Sequence, residues 1–562
     1  MGARTDTAAS PSWTLASPGR TGRDGSGPHF PAPAIGELPP LRRWRDYPVL
    51  ALAAAGLWAS FPDQGWWFLL VPSLALFVSA LDRVGTLRAT WYAAVVAAGF
   101  WLPHIEWVRV ATGGWMPWVV LSLTQVIAWA LWGWTVSVAR VWRWTRTVWG
   151  QALVVGLTWV GIEQLRSRVP FGGFAWANVS YAQVDAPLGH LAPWGGEVLV
   201  SFATLVAAVL LRRAVSLAPA HEGDHWWGRP ASLGVALVIL VAPLGLSLPT
   251  AQESGSLKVG VVQGNVEIPG IETFSEPNKV TGNHVRESDR LAASGQDVDL
   301  VIWGENAADL DPRTHPATAR LIADAVERVG APTMLGFVEY QEDSRTNWVG
   351  IWYPGESQVD PVLYGKQHPV PFGEYIPWRD FISSLASQTA QVSVDMRAVD
   401  NPGYLEVRLE DGRTVPVAVG ICFEVAYEPL VSEGVRMGGQ LISIPTNNFH
   451  FRYSAESTQQ AQMLRFRAME FSRSAVQAST NGVSMIVRPD GSVVAASGKQ
   501  EAAHLVADLP LRTSLTPAAR LAEFPAWCAI VLTSLVGVGS TGALIALRRP
   551  VPHAASAGEY RS

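Results

Sequence analysis

Charged residues make up only 16% of this 562-residue chain, where soluble globular proteins carry roughly a quarter. That deficit excludes an ordinary soluble fold over the whole length. Cysteine is scarcer still, with two copies, Cys422 and Cys528. They fall in segments of different character, so an intrachain disulfide framework is excluded. The 11 histidines are too scattered to supply metal-ligand spacing with two cysteines, and no cofactor is expected. A basic excess is missing too. Residues 251–520 hold 33 acidic and 22 basic side chains, a net −11 against −5 for the whole, which leaves +6 elsewhere. So acidic a segment is a poor partner for nucleic acid. No cleavable signal peptide is read at the start: the first 40 residues are rich in Gly, Pro, Ser and Ala, and an apolar run begins only near Tyr47. Residues 1–45 are therefore expected to form a disordered tail.

What is present is apolar sequence in long runs, with 26 tryptophans. A helix crosses the hydrocarbon of a bilayer with about 20 apolar residues, because every backbone group is then satisfied internally. Candidate spans are 47–61, 65–81, 89–104, 117–138, 148–164, 196–211, 231–248 and 523–547, eight in all. Arginines orient them. With eight spans, five clusters share one side: Arg42, Arg43 and Arg45; Arg83 and Arg88; Arg140, Arg143 and Arg146; Arg212, Arg213 and Arg229; Arg548 and Arg549. The short loops opposite hold fewer, Arg109 and then Arg166 and Arg168. Both termini are thus predicted cytoplasmic and segment 251–520 extracytoplasmic. The expected organisation is a tail (1–45), seven helices (46–250), a domain (251–520), an eighth helix (521–549) and a cytoplasmic tail (550–562). Trp66, Trp67, Trp107, Trp115, Trp118 and Trp194 lie near span ends and read as interfacial anchors.

Segment 251–520 alternates short apolar runs with helical stretches. Leu257–Gln263, Val298–Trp303, Thr333–Val338, Trp348–Tyr353, Val415–Ile421, Leu441–Pro445, Ala475–Ser479 and Val483–Arg488 read as strands. Lys279–Ala293, Ala317–Val329 and Glu456–Ser472 read as helices. The pattern is α/β, with strands apolar enough to be covered on both faces. Three polar groups follow strand ends, where binding and catalytic groups gather: Glu305 after Asp-Leu-Val-Ile-Trp-Gly, Lys366 after Tyr-Gly, and Cys422 after Val-Ala-Val-Gly-Ile. Taken singly, Glu305 reads as a helix-capping carboxylate, Lys366 as a solvated loop charge and Cys422 as a small buried hydrophobe. Together they supply what thiol chemistry needs: a base, an oxyanion donor and a nucleophile. A lone thiol in an oxidising compartment also calls for a use. A Cys–His pair would have to draw on His368 or His450, neither of which follows a comparable strand.

At these residues the chain resembles the nitrilase superfamily, with a Glu-Lys-Cys triad on an αββα sandwich. With the spans around it, it is more closely similar to the apolipoprotein N-acyltransferase family. The resemblance rests on Lys366-Gln-His368-Pro-Val-Pro-Phe-Gly-Glu374-Tyr-Ile-Pro377, Gly420-Ile-Cys422-Phe-Glu424, Gly173-Phe-Ala-Trp-Ala-Asn178, Arg467-Ala-Met-Glu470 and Ser479-Thr-Asn481-Gly482. It implies a nitrilase-like αββα sandwich inserted between the seventh and eighth helices of an eight-helix bundle. It implies a monomer in a bacterial inner membrane. The implied reaction moves an acyl chain from a phospholipid to the N-terminal amine of a diacylglyceryl-cysteine lipoprotein. Glu305 would be the base, Lys366 the oxyanion donor, helped by the N–H of Phe423, and Cys422 the nucleophile that holds the acyl group as a thioester. Glu374 would position Lys366 or the incoming amine, and Glu424 would support the nucleophile. The chain departs from the family at Trp303-Gly304-Glu305-Asn306, where Trp-Pro-Glu-Thr is usual. It departs again at Phe423, where a tyrosine is common, so Phe423 is given a packing role. Phe449 is expected to do the aromatic work of its loop, and Phe274 is the nearest gate-like aromatic after Gln263-Gly264-Asn265.

Two other functions would use the same residues. A membrane-tethered amidase would hydrolyse a small amide with water as acceptor, although a tether needs one span. A fatty thioester on Cys422 after incubation with phospholipid would argue against it. A catalytically degenerate lipoprotein-binding protein would tolerate Gly304 and Phe423, and an unaltered lipoprotein pool in a deletion strain would favour it.

Overall fold

A computed structural model describes residues 46–82, 84–215, 228–266, 276–385 and 392–548. The expected N-terminal tail, Arg83, Phe274 and the residues after Arg548 lie outside them. Among the described residues thirteen strands form two sheets. They are β1 (Ser256–Gln263), β2 (Leu300–Trp303), β3 (Thr333–Tyr340), β4 (Ser344–Trp352), β5 (Tyr364–Gly365), β6 (Asp395–Met396), β7 (Tyr404–Arg408), β8 (Thr414–Val419), β9 (Leu441–Thr446), β10 (Ser474–Ser479), β11 (Met485–Val487), β12 (Val493–Ala496) and β13 (Ala503–Pro510). The first sheet runs β13-β1-β2-β3-β4-β5, with β6 beside β4, and the second runs β12-β11-β10-β9-β8-β7.

Each sheet has a parallel centre: β1, β2 and β3 in one, β8, β9 and β10 in the other. Parallel strands are covered on both faces, and every residue of β2, β9 and β10 is buried. Between the sheets, Val259, Val261, Ile302 and Met334 meet Val417, Leu441, Val476 and Ile486 in one apolar layer. Outside the first sheet, Leu291, Ile322 and Val326 of helices Lys279–Ala293 and Pro316–Val329 pack on Val301, Trp303 and Leu335. Outside the second, Leu430, Leu464 and Phe466 of helices Glu428–Arg436 and Glu456–Phe471 pack with Ile442, Ile444 and Ala475. The layers are helix, sheet, sheet, helix. The last apolar layer continues without a break into the helices of the N-terminal region, through residues such as Leu74, Phe100 and Trp132. The sandwich is therefore seated on the bundle through its second helix layer.

Each of the eight apolar segments read from the sequence contains a helix. Four helices among the described residues are long and apolar enough to cross a membrane: Trp115–Ala139, Pro187–Val215, Gly228–Gly245 and Phe524–Leu547. Tyr47–Ala59 and Trp67–Leu81 are apolar but shorter. A 13-residue helix rises about 20 Å, short of a hydrocarbon core of about 30 Å. Length and composition thus carry four spans, and the count of eight is not established by them. Trp107 corrects the reading of interfacial tryptophans. Trp66, Trp115 and Trp194 are exposed, but Trp107 is buried. Its Nε1 donates to Gln459 Oε1 at 3.0 Å and its ring meets Trp176 and Phe451, so the sandwich covers it.

Candidate active site

Glu305, Lys366 and Cys422 follow β2, β5 and β8, and the pairing of these strands into facing sheets brings the three side chains together. Gly304, just after β2, lies where backbone of the second sheet comes close. A Cβ there would lie 2.8 Å from Thr480 N and 3.0 Å from Thr446 O, so no side chain fits at this departure from the family pattern. Cys422 has φ 55°, a left-handed conformation that costs a non-glycine residue free energy and recurs at functional sites. It opens a short 3₁₀ turn, Cys422–Ala426.

The Lys366 ammonium is fully buried between two carboxylates, with Nζ donating to Glu305 Oε1 at 3.1 Å and to Glu374 Oε1 at 2.6 Å. Asn347 Nδ2 donates to Glu305 Oε1 at 2.6 Å, and the backbone N–H of Asn447 donates to Oε2 at 2.9 Å. The Cys422 thiol lies within electrostatic reach of both Glu305 and Lys366. The second oxygen of Glu374 accepts from Val370 N at 2.7 Å. Burial opposes every charge here. It raises the pKa of Glu305, against the pull of Lys366. It raises Cys422 well above the ordinary thiol value, with Glu305 adding to the effect and Lys366 opposing it. For Lys366 burial acts downward, but Glu305 and Glu374 outweigh it and hold the ammonium charged. The resting site is then a neutral thiol beside Glu305 and a fixed cation.

Glu424 is buried and ties two segments together. Its Oε1 accepts from Gln367 N at 2.7 Å and His368 N at 2.8 Å, and its Oε2 accepts from Ile421 N at 2.6 Å and Tyr364 Oη at 2.8 Å. One carboxylate thereby fixes the loop of Lys366 against the turn of Cys422. Phe423 lies flat on Trp176, with ring centres 5.4 Å apart, and on Phe174 at 6.0 Å, both from the loop that carries Gly173–Asn178. Phe449 sits in a turn over Phe449–Phe451, half-buried, with its ring 5.2 Å from His450. Its neighbour Asn447, rather than Phe449 itself, holds Glu305. His368 stacks on Tyr427 at 4.4 Å. Among the described residues no group of three or more His, Cys, Asp or Glu could hold a metal ion.

Sequence reasoning missed Asn347, Tyr364, Asn447 and Glu456. Asn347 gave no sequence signal: it stands after Ser344, Arg345 and Thr346 at the polar start of β4, and only the fold buries its amide completely. Glu456 is a buried carboxyl whose Oε2 accepts from Asn448 Nδ2 at 2.8 Å. Burial above all, with a contribution from Glu305, lifts its pKa to about 8.

A family model described as the apolipoprotein N-acyltransferase N-terminal domain matches residues 53–210, and one described as carbon-nitrogen hydrolase matches residues 258–515. The chain is 33% identical over 538 residues to the apolipoprotein N-acyltransferase of Mycolicibacterium smegmatis, covering 89% of this chain and 85% of that one. It is 29% identical to that of Pseudomonas putida, covering 87% and 95%. Among solved structures it is similar to an amidase from Nesterenkonia sp., at 16% identity and a TM-score of 0.35, covering 47% of this chain and 94% of that one. A Saccharomyces cerevisiae member of branch 10 of the nitrilase superfamily aligns at 15% identity and a TM-score of 0.35, covering 47% and 93%.

Proposed function

The chain belongs to the apolipoprotein N-acyltransferase family, and on that premise we propose that Cys422, Glu305 and Lys366 carry a two-step, ping-pong acyl transfer. In the first step Glu305 takes the thiol proton while Sγ attacks the ester carbonyl of a phospholipid. Lys366, with the N–H of Phe423, faces the oxyanion. The C–O bond breaks, the lysophospholipid oxygen takes the proton back from Glu305, and the acyl chain remains on Cys422 as a thioester. In the second step the α-amine of a diacylated lipoprotein attacks the thioester, Glu305 receives an amine proton, and the departing thiolate recovers it. Glu374 holds Lys366 in place, and Glu424 holds the nucleophile's turn.

The observation that carries this reading is a buried ammonium bridging two carboxylates beside a strained thiol at a strand end. A positioned proton carrier contributes roughly 10²–10⁴-fold, and a fixed oxyanion donor roughly 10²–10³-fold. Both substrates carry acyl chains, and exposing one to water costs about 0.8 kcal/mol per CH₂. Seating the sandwich on an apolar bundle avoids that cost. In the same reading the protein works as a monomer, the sandwich lies on the extracytoplasmic face of the inner membrane with both termini cytoplasmic, and the chain divides as the sequence suggests. The test is mass spectrometry of lipoproteins from cells with this protein and with Cys422→Ala. Loss of one amide-linked acyl group in the variant is the expected result. Retention of that group would overturn the assignment of Cys422.

A further inference from the structure

The turn that carries Cys422 is held from its far side by a buried polar cluster that the acyl-transfer steps do not use. Arg467, on helix Glu456–Phe471, is fully buried. Its Nε donates to Val425 O at 3.0 Å and its Nη2 to Ala426 O at 2.9 Å. These carbonyls end the 3₁₀ turn, where intrahelical donors have run out. The guanidinium thus closes the turn that Cys422 opens. Arg467 is itself gripped from the bundle. Its Nη2 donates to Tyr181 Oη at 2.9 Å and lies 3.4 Å from Glu197 Oε2. Tyr181 Oη donates to the same Glu197 oxygen at 3.0 Å, and Gln164 Nε2 fixes the other at 2.7 Å.

The contact also runs the other way. Glu470 pairs with Arg467 through one oxygen, and the other accepts from Glu197 N at 3.2 Å. It reaches that N–H because helix Ala192–Val215 breaks at Gly195 and Gly196. A Cβ on Gly196, which has φ 61°, would come 2.3 Å from Glu470 Oε1. Burial, above all, lifts Glu470 to about 7 and Glu428, the third carboxyl near Arg467, to about 8. Both therefore carry protons for part of the time near neutral pH, and Glu197 matters the more as a countercharge.

We infer that Glu197 is a positioning residue for Cys422: from the helical bundle it holds Arg467, and Arg467 holds the turn that sets the nucleophile. The bundle then fixes the pose of the nucleophile as well as supporting the sandwich. The inference rests on Cys422 being the acyl carrier. The test uses the full chain in detergent micelles and compares wild type with Glu197→Gln. Three quantities are read: the rate of thioester formation from phospholipid, the split between kcat and KM, and the peptide-resolved alkylation rate of Cys422 by iodoacetamide. Cys528, on the last helix, is the internal reference for alkylation. Expected are a fall of about tenfold to a hundredfold in thioester formation, KM within about twofold, and slowed alkylation of Cys422 relative to Cys528. Tyr181→Phe removes the hydroxyl that bridges Arg467 and Glu197. It should act in the same sense by a few-fold, and it carries the test if Glu197→Gln does not fold. Unchanged rates, equal slowing at both thiols, or a raised KM with unchanged kcat would overturn the inference. A thioester still formed by Cys422→Ala would instead overturn the choice of nucleophile.

Discussion

Replacing Glu424 by Gln changes one atom and separates two segments. The carboxylate accepts four hydrogen bonds, two at each oxygen: Gln367 N and His368 N at one, Ile421 N and Tyr364 Oη at the other. A glutamine must present an NH₂ to one of these pairs. The cheaper choice keeps the oxygen toward Gln367 and His368, because Tyr364 can turn its hydroxyl to accept. Ile421 N–H cannot, and a buried unpaired N–H costs roughly 1–3 kcal/mol. The three surviving bonds fall from charged to neutral strength, a loss of roughly 1 kcal/mol each. The sum is roughly 4–6 kcal/mol, all of it at the joint between the Lys366 loop and the Cys422 turn. The joint relaxes by moving, and a misplacement of about 1 Å costs on the order of 10²-fold in rate. Thioester formation on Cys422, followed by intact-protein mass spectrometry after mixing with phospholipid, should slow by about that factor while the protein remains folded. Wild-type kinetics in Glu424→Gln would refute the view that this carboxylate aligns base, cation and nucleophile.

Lys366→Met leaves Glu305 and Glu374 without the ammonium between them, and rapid-quench measurement of the acyl-enzyme should show a loss of roughly 10²–10³-fold; activity within tenfold of wild type would exclude Lys366 as the oxyanion donor. Asn347→Ala removes a donor from Glu305 Oε1, so the pKa of Glu305 rises further and the acid limb of the kcat/KM profile should move to higher pH; an unmoved limb would count against Glu305 as the base. Glu456 titrates near pH 8 in the folded protein against an ordinary 4.5. The native state therefore keeps a proton that the unfolded chain has released, and stability falls as pH rises from 4.5 to 8, by roughly 5 kcal/mol at most. Glu456→Gln should remove that loss, so its advantage in Tm over wild type should widen from pH 6 to pH 9; parallel Tm curves would contradict it.

The three residues that meet at the site were legible because each follows an apolar strand, and because the runs around Lys366 and Cys422 keep their spacing in the chain. The central strands and the helices Lys279–Ala293 and Pro316–Val329 were legible for a related reason, since their apolar periods are strong. Their supports were not. Asn347 is 42 residues from Glu305 and Asn447 is 142, and only sheet pairing brings them near. Two edge strands went unread: β7, which alternates polar with apolar residues, and β13, whose apolar residues are interrupted by His504 and Asp508. The number of membrane spans was the least legible feature. Helix Val148–Arg166 carries Glu163 and Arg166, buried and partnered inside the protein, so its composition understates how deeply it is enclosed.

The same buried polar groups explain why hydropathy and architecture part company here. A membrane helix that faces only lipid has no use for Glu163, Gln164 or Glu197, since uncompensated charge in hydrocarbon is costly. These helices also face a sandwich whose own buried ions need partners. Arg467 has no route to solvent, so countercharge must come from within the protein; Glu470 offers it from the same helix and Glu197 from the bundle. The turn of Cys422 is consequently clamped at both ends by charge. Glu424 ties its start to the Lys366 loop, and Arg467 ties its final carbonyls to the bundle. Removing one partner of a buried pair leaves the other charge stranded and costs more than the pair contributes. The sandwich and the bundle are therefore not separable parts: the residue that opens the reactive turn takes its geometry from both.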